Sequence, residues 1–506
     1  MKFANEPILH QDYPDPDVIR VDDTFYMIST TMHFFPGAVI LRSYNLMDWE
    51  IASYVYDKLD STCGQILSDD RGIYGKGMWA ASLRYNDGIF YVVFVCNDTH
   101  KTYLYKSVDI NGPWSKSEIE GFYHDCSIYF ENGRVYIIYG NRQVYITELE
   151  SDLSKPKENG LHRLIVQDSD KASLGYEGSH FYKIGDRYYL FLIHSLCDRW
   201  LRTEAVFTSD SLMGEFTGGD VFVYENGYRG AGIAQGGIVD DIKGNYFAIL
   251  FQDRGAAGRI PYVLPCSINN DKVMIFDEGE LPFDGKPGYT YTPLVTSEFV
   301  NNNGELNYQW QWNHEPQLNL VNFNKLDNSM TLTTKNIVSK LEYSVNTLTQ
   351  KVAEYRSSIS ITMNFSGMKD GDEAGLSAFM GCYSYIGVEK SDGNVYLIVK
   401  GKNIDKAGND IWSCEAPLEE DDRVRLTGNS IKLKAVFDCN VEDYAEFYYM
   451  NIENNKESID YIKIGKRHSL AFRLDHFCGC RFGLFYFSKQ ESGGNVVFSR
   501  PEYIVE

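Results

Sequence analysis

Five times in the first 250 residues a polar turn leads into an aromatic pair and an apolar run, the pattern of a β-hairpin entering its second strand. The copies are Asp22-Asp-Thr-Phe-Tyr-Met-Ile28, Asp87-Gly-Ile-Phe-Tyr-Val-Val93, Asn132-Gly-Arg-Val-Tyr-Ile-Ile138, Gly185-Asp-Arg-Tyr-Tyr-Leu-Phe191 and Lys243-Gly-Asn-Tyr-Phe-Ala-Ile249. By subtraction, Tyr26, Tyr91, Tyr136, Tyr189 and Phe247 recur at intervals of 65, 45, 53 and 58 residues. Each interval holds a four-stranded sheet with its loops. Outer strands and closing turns are marked by Arg42-Ser43 before Trp49, Lys106-Ser107 before Trp114 and Thr208-Ser209 before Phe216. The expected fold is all-β, a five-bladed β-propeller, because an irregular sandwich repeats its strands every 8–12 residues without this longer period.

The pattern changes near residue 300, where Asn301-Asn302-Asn303-Gly304 makes a polar link. Beyond it, Ser358–Asn364, Val395–Val399 and Ile431–Phe437 alternate apolar with polar residues, as strands of a β-sandwich do. The expected division is a catalytic propeller over 1–300 and an accessory sandwich over 301–506.

Composition narrows the class. Aromatic residues make up 14% of the 506, and 70 acidic against 48 basic side chains give a formal charge of -22. That charge repels phosphate backbones and anionic membranes, so neither nucleic acid nor membrane is an expected partner. The ten cysteines are scattered, and the closest pair, Cys478 and Cys480, lacks zinc-site spacing, so reduced thiols in a cytoplasmic protein are expected. The start of the sequence carries no signal-peptide apolar stretch. Oligomeric state stays open.

Eleven or twelve residues before each hairpin aromatic, in the strand that lines a propeller's channel, stand Asp15, Trp79, Asp125, Glu177 and Gln235. Equivalent blades bring these five to one axial site. Three of them are carboxylic acids, and glycoside hydrolysis needs one to protonate the leaving oxygen and another to activate water or attack. Asp15, short and set between Pro14 and Pro16, suits a base that must aim at water. Glu177 is longer and followed by Gly178, which suits a general acid. Asp125 crowds the other two, and three negative groups in a partly dry channel raise at least one pKa.

The motifs that carry these residues resemble glycoside hydrolase family 43, the β-xylosidases and α-L-arabinofuranosidases. They are Asn5-Glu6-Pro7-Ile8-Leu9 through Asp12–Arg20, Ser29–Gly37, Met78-Trp79-Ala80, His124-Asp125, Glu177–His180, Gln235–Val239, Gly258–Tyr262 and Trp310–His314. The resemblance implies a concanavalin-like accessory sandwich and an inverting mechanism: Asp15 as base, Glu177 as acid, Asp125 tuning and orienting the acid. It further implies that Arg259 binds substrate hydroxyls, that Trp79 walls the terminal-sugar pocket, that Met32, His33, Phe34 and Phe35 lie along its rim, and that Gln235 belongs to the axial site.

No cofactor is expected for catalysis, and no metal ligand is assigned. Relatives often place a histidine where Gln235 stands, holding an axial calcium ion, so a structural calcium is compatible with the resemblance. Ala81 stands where a proline is usual, and Val497-Phe498-Ser499-Arg500-Pro501 replaces the aromatic strand by which many relatives reach the pocket from the second domain. The expected function is an exo-acting hydrolase that releases terminal L-arabinofuranose or D-xylose from xylan-derived oligosaccharides. A non-catalytic sugar-binding propeller is the alternative, and a sialidase-like enzyme is disfavoured because only Arg259 has a suitable setting.

Overall fold

The computed structural model describes residues 7–225, 227–276, 285–402, 416–453, 456–458 and 460–506; Asn5 and Glu6 of the opening motif lie outside them. The five hairpins fold as one repeating unit. Each begins a separate antiparallel sheet, the first of Asp17–Val21, Thr24–Ser29, Gly37–Ser43 and Glu50–Tyr56, and the last built on Tyr246–Asp253 and Arg259–Ile268. In the first four sheets the hairpin aromatic faces the residue seven places before it: Tyr26 opposite Ile19, Tyr91 opposite Arg84, Tyr136 opposite Tyr129 and Tyr189 opposite Tyr182. In the fifth, Phe247 faces Val239. The shared register makes the blades equivalent, so the residues at the mouths of their inner strands converge.

Apolar clusters fill the spaces between successive blades, and the ring closes where Val18, Met27 and Leu41 of the first blade meet Phe247, Ile249 and Val263 of the fifth. The N-terminal segment fastens that closure, since Ile8 N donates to Pro261 O and Tyr13 N to Arg259 O, both at 3.0 Å. On the axis the filling is polar. Asp17, fully buried, accepts from Leu83 N at 2.7 Å and from Arg84 at 2.5 Å, and contacts His180 Nδ1 at 3.1 Å. Arg84 also donates to Ser127 Oγ at 2.7 Å, so three blades are tied to the second through one network.

The sandwich consists of two large antiparallel sheets around one apolar core. One sheet contains a piece of the propeller: Phe34–Phe35 pairs with Trp310–Asn313, placing Phe35 opposite Trp312 and Phe34 opposite Asn313. The two domains thus share a sheet as well as a packed face. Asp12 adds a second tie, accepting from Arg259 N at 2.8 Å and from Gly479 N of the sandwich at 2.9 Å.

Candidate active site

Asp15 and Asp125 occupy matching places, two residues ahead of the inner strands of the first and third blades. Both take left-handed backbone, φ 52° and 47°, a region Asp tolerates because its short polar side chain bonds locally. The turn around Asp15 is held by its own blade, where Thr30 N and Ser29 Oγ donate to Pro14 O, and by the fifth, where Gly237 N donates to Pro16 O. Glu177 reaches the same mouth by another device, a register shift between Glu177 and His180; a shift between Met78 and Ala81 does the same at Trp79. Such bulges re-aim side chains at the end of a strand.

These turns bring the three carboxyl groups into one electrostatic system. Arg259, almost wholly buried, donates through Nη1 to Asp15 Oδ1 at 2.8 Å. Burial raises the pKa of Asp15, Arg259 opposes it, and Asp125 adds to it. Burial also raises Asp125, against His124 and with help from Glu177. His124 is the link between the two: its Nε2 lies 3.2 Å from Glu177 Oε2 and 3.8 Å from Asp125 Oδ2. Burial alone lowers the pKa of His124, but Asp125, Glu177 and Asp15 outweigh it and push it up to about 9. At neutral pH an imidazolium therefore sits between two carboxyl groups whose oxygens lie within 4.8 Å. Asn141 Nδ2 donates to the same Glu177 oxygen.

Aromatic rings wall this cluster. Trp79 meets His124 edge-on at 5.6 Å, and Phe477 of the sandwich stands 6.2 Å from Trp79 and 4.5 Å from the Arg259 guanidinium. The indole Nε1 of Trp79 and Nε of Arg259 are buried without a hydrogen-bond partner among the described residues. A separate cavity of about 1000 Å³ lies between Tyr74 and Lys101 of the propeller and Phe379 and His476 of the sandwich. None of the three carboxyl groups lines it.

Residues 4–271 match the family described as glycosyl hydrolases family 43, and 297–504 match the β-xylosidase C-terminal concanavalin A-like domain. The chain belongs to glycosyl hydrolase family 43. Among relatives of this family-43 chain, a putative β-xylosidase from Xylanibacter ruminicola is 27% identical, with 79% of this chain and 76% of that protein covered. A non-reducing end α-L-arabinofuranosidase from Bacteroides ovatus is 29% identical across 37% of this chain and 35% of its own. A solved bifunctional GH43-CE structure from Bacteroides eggerthii is 33% identical with a TM-score of 0.88; it covers the whole of this chain, which spans 64% of that longer one. The protein is a glycosidase built as a five-bladed propeller with a concanavalin-like sandwich.

In this family-43 site, Asp15, Asp125, Glu177, Trp79 and Arg259 are brought together. Gln235 lies at its edge, with φ 61° and its side chain against Gly178. Gly178 has a different reason from the open approach expected of it: φ is 65°, and an added Cβ would stand 2.9 Å from the Gln235 side chain. Met32 borders Trp79 through a two-way backbone bridge to Met78. His33 and Phe34 are placed in the buried layer between the domains rather than on an open rim, His33 against Tyr74, His314 and His476, and Phe34 beneath Arg481.

Sequence reasoning missed four groups. His124 stood beside Asp125 and could have been weighed as its partner. Asn141 and Glu204 carry no local signal; Glu204 is buried, accepts from Gln235 N at 2.8 Å through Oε2, and leaves Oε1 without a hydrogen-bond partner among the described residues. Phe477 comes from a loop instead of the C-terminal strand, where Phe498 is buried in the sandwich core.

Proposed function

We propose that this glycosidase releases terminal D-xylose or L-arabinofuranose from short xylan- or arabinoxylan-derived oligosaccharides with inversion at the anomeric carbon. The observation that carries the reading is the linked set Arg259–Asp15 and Asp125–His124–Glu177, which separates one carboxyl group paired with a guanidinium from a second pair bridged by an imidazolium. Asp15 is the general base. Arg259 opposes the burial that raises its pKa, and anchors one of its oxygens so that the group stays aimed. Glu177 is the general acid, oriented by Asn141 and His124. Asp125, through its repulsion with Glu177, favours the arrangement in which the pair keeps one proton, and departure of the leaving group consumes it.

Trp79 and Phe477 provide apolar faces for a sugar ring, and the unpaired Nε atoms of Trp79 and Arg259 await hydroxyl groups. Phe477 closes one side, which favours a chain end over a chain middle. The names of the relatives agree with both pentoses. Glu204 and Gln235 are the residues that would hold an axial calcium, because Oε1 of Glu204 is a buried oxygen lacking a partner; the ion would offset its charge, and no step of bond cleavage runs through it.

The test is a panel of aryl β-D-xylosides, aryl α-L-arabinofuranosides and arabinoxylan oligosaccharides, with the first product followed by NMR. The expected result is terminal pentose released in the opposite anomeric form to the substrate. Initial appearance of the retained anomer overturns the mechanism, and failure to release either pentose overturns the substrate.

A further inference from the structure

Where the domains meet, three side chains converge that hydrolysis leaves unused. His33 precedes the shared Phe34–Phe35 strand, and His476 and Cys478 flank Phe477 on the sandwich loop. All three are buried, and one donor atom from each lies within 4.8 Å of the others. Both ring nitrogens of His33 and both of His476 are buried without a hydrogen-bond partner among the described residues. Buried polar atoms in folded proteins are nearly always paired, so two imidazoles without partners, each bringing a nitrogen to the same point as a thiol, call for a ligand.

We propose that His33, His476 and Cys478 bind one zinc ion that joins the propeller to the sandwich. Two imidazoles and a thiolate match the nitrogen and sulfur preference of zinc, whereas calcium and magnesium take oxygen ligands. Tetrahedral bonds of about 2.0–2.3 Å put ligand atoms roughly 3.3–3.7 Å apart, so a side-chain shift of about 1 Å closes the set. A fourth position remains for water.

Neither imidazole spends a ring nitrogen on a hydrogen bond among the described residues, so each has a lone pair to offer a metal. The Cys478 thiol donates to His476 O at 3.3 Å. Zinc displaces that proton to solvent as the Zn–S bond forms. Arg481 acts on all three groups and opposes a bare dication, and the new thiolate offsets one of its charges. Because ligands stand on both sides of Phe477, the ion fixes the ring that faces Trp79 and Arg259. Its role is structural.

Full-length protein stripped with a chelator is titrated with Co²⁺, a spectroscopic substitute for zinc. The expected result is one equivalent bound per chain, with a near-ultraviolet thiolate-to-cobalt absorption that Zn²⁺ abolishes by displacement. Cys478→Ser should lose that absorption while keeping the wild-type near-ultraviolet circular dichroism, and Cys480→Ser should retain it. Folded wild-type protein that shows no such absorption with excess Co²⁺ overturns the proposal, as does an unchanged band in Cys478→Ser. The result is separable from the glycosidase reading, because the cobalt spectrum does not depend on pentose release and pentose release can be measured without it.

Discussion

The buried centre of the propeller and the buried centre of the sandwich are filled by opposite kinds of side chain. On the propeller axis Asp17 sits among Arg84, His180 and Leu83 N, and burial that alone would raise its pKa is outweighed by Arg84 and His180, which hold it low. In the sandwich, Met330, Ile359, Ile361, Leu433, Phe437 and Phe447 fill the space between the sheets with hydrocarbon. The propeller tolerates charge at its centre because its apolar burial lies between the blades, away from the axis. That arrangement suits a catalytic scaffold: ionised groups are fixed in place before any substrate arrives, and little reorganisation is left for the reaction itself. The sandwich contributes rigidity and one aromatic ring.

The largest test of this contrast is chemical. Asp15→Ala and Glu177→Ala should each lower pentoside hydrolysis by about 10²–10⁴-fold, as loss of a positioned acid or base does, with thermal unfolding close to wild type. Wild-type rates in either variant would remove the site from the axis. Next, Asp17→Asn keeps the shape but breaks a buried ion pair, and should cost about 3–5 kcal/mol in urea unfolding. The matched change in the sandwich, Ile361→Val, should cost only about 0.5–1.5 kcal/mol. Equal costs would erase the contrast.

Between these lies His124→Asn. Asp125 loses the cation that opposes its burial and holds its proton to higher pH, so the alkaline limb of the kcat/KM profile, which reports loss of the proton kept by the Asp125–Glu177 pair, should move upward. His124 has a folded pKa raised to about 9 from an ordinary value near 6.5. Its stabilisation is fully present below about 6.5 and is lost as pH rises through about 9. The Tm difference between wild type and His124→Asn should therefore shrink across that window.

The blades were legible because a repeating aromatic pair and a constant offset are local signals, and the shared register preserves the offset from Asp15 to Glu177. The sandwich was legible from alternation in strands such as Arg356–Asn364 and Ser430–Asp438. What escaped depends on contacts across long stretches of chain. Phe477 reaches Trp79 from a loop that Gly479 N ties to Asp12, and no periodicity announces a loop residue pointing at another domain. The resemblance placed His33 and Phe34 along the rim with Met32; the strand Phe34–Phe35 that follows His33 is completed by Trp310–Asn313, and both residues are removed from solvent. The role of Gly178 was misread for a similar reason, since the side chain it must clear belongs to the next blade.

The pairing of Phe34–Phe35 with Trp310–Asn313 sets the smallest unit that can be moved between proteins. A cut in the polar link near residue 300 looks clean on paper, yet it takes a hydrogen-bonding neighbour from each half and leaves a bare strand margin open to self-association. Chimaeras that graft this propeller onto a foreign partner have to carry the matching strand with it, or inherit an adhesive seam in place of a hinge.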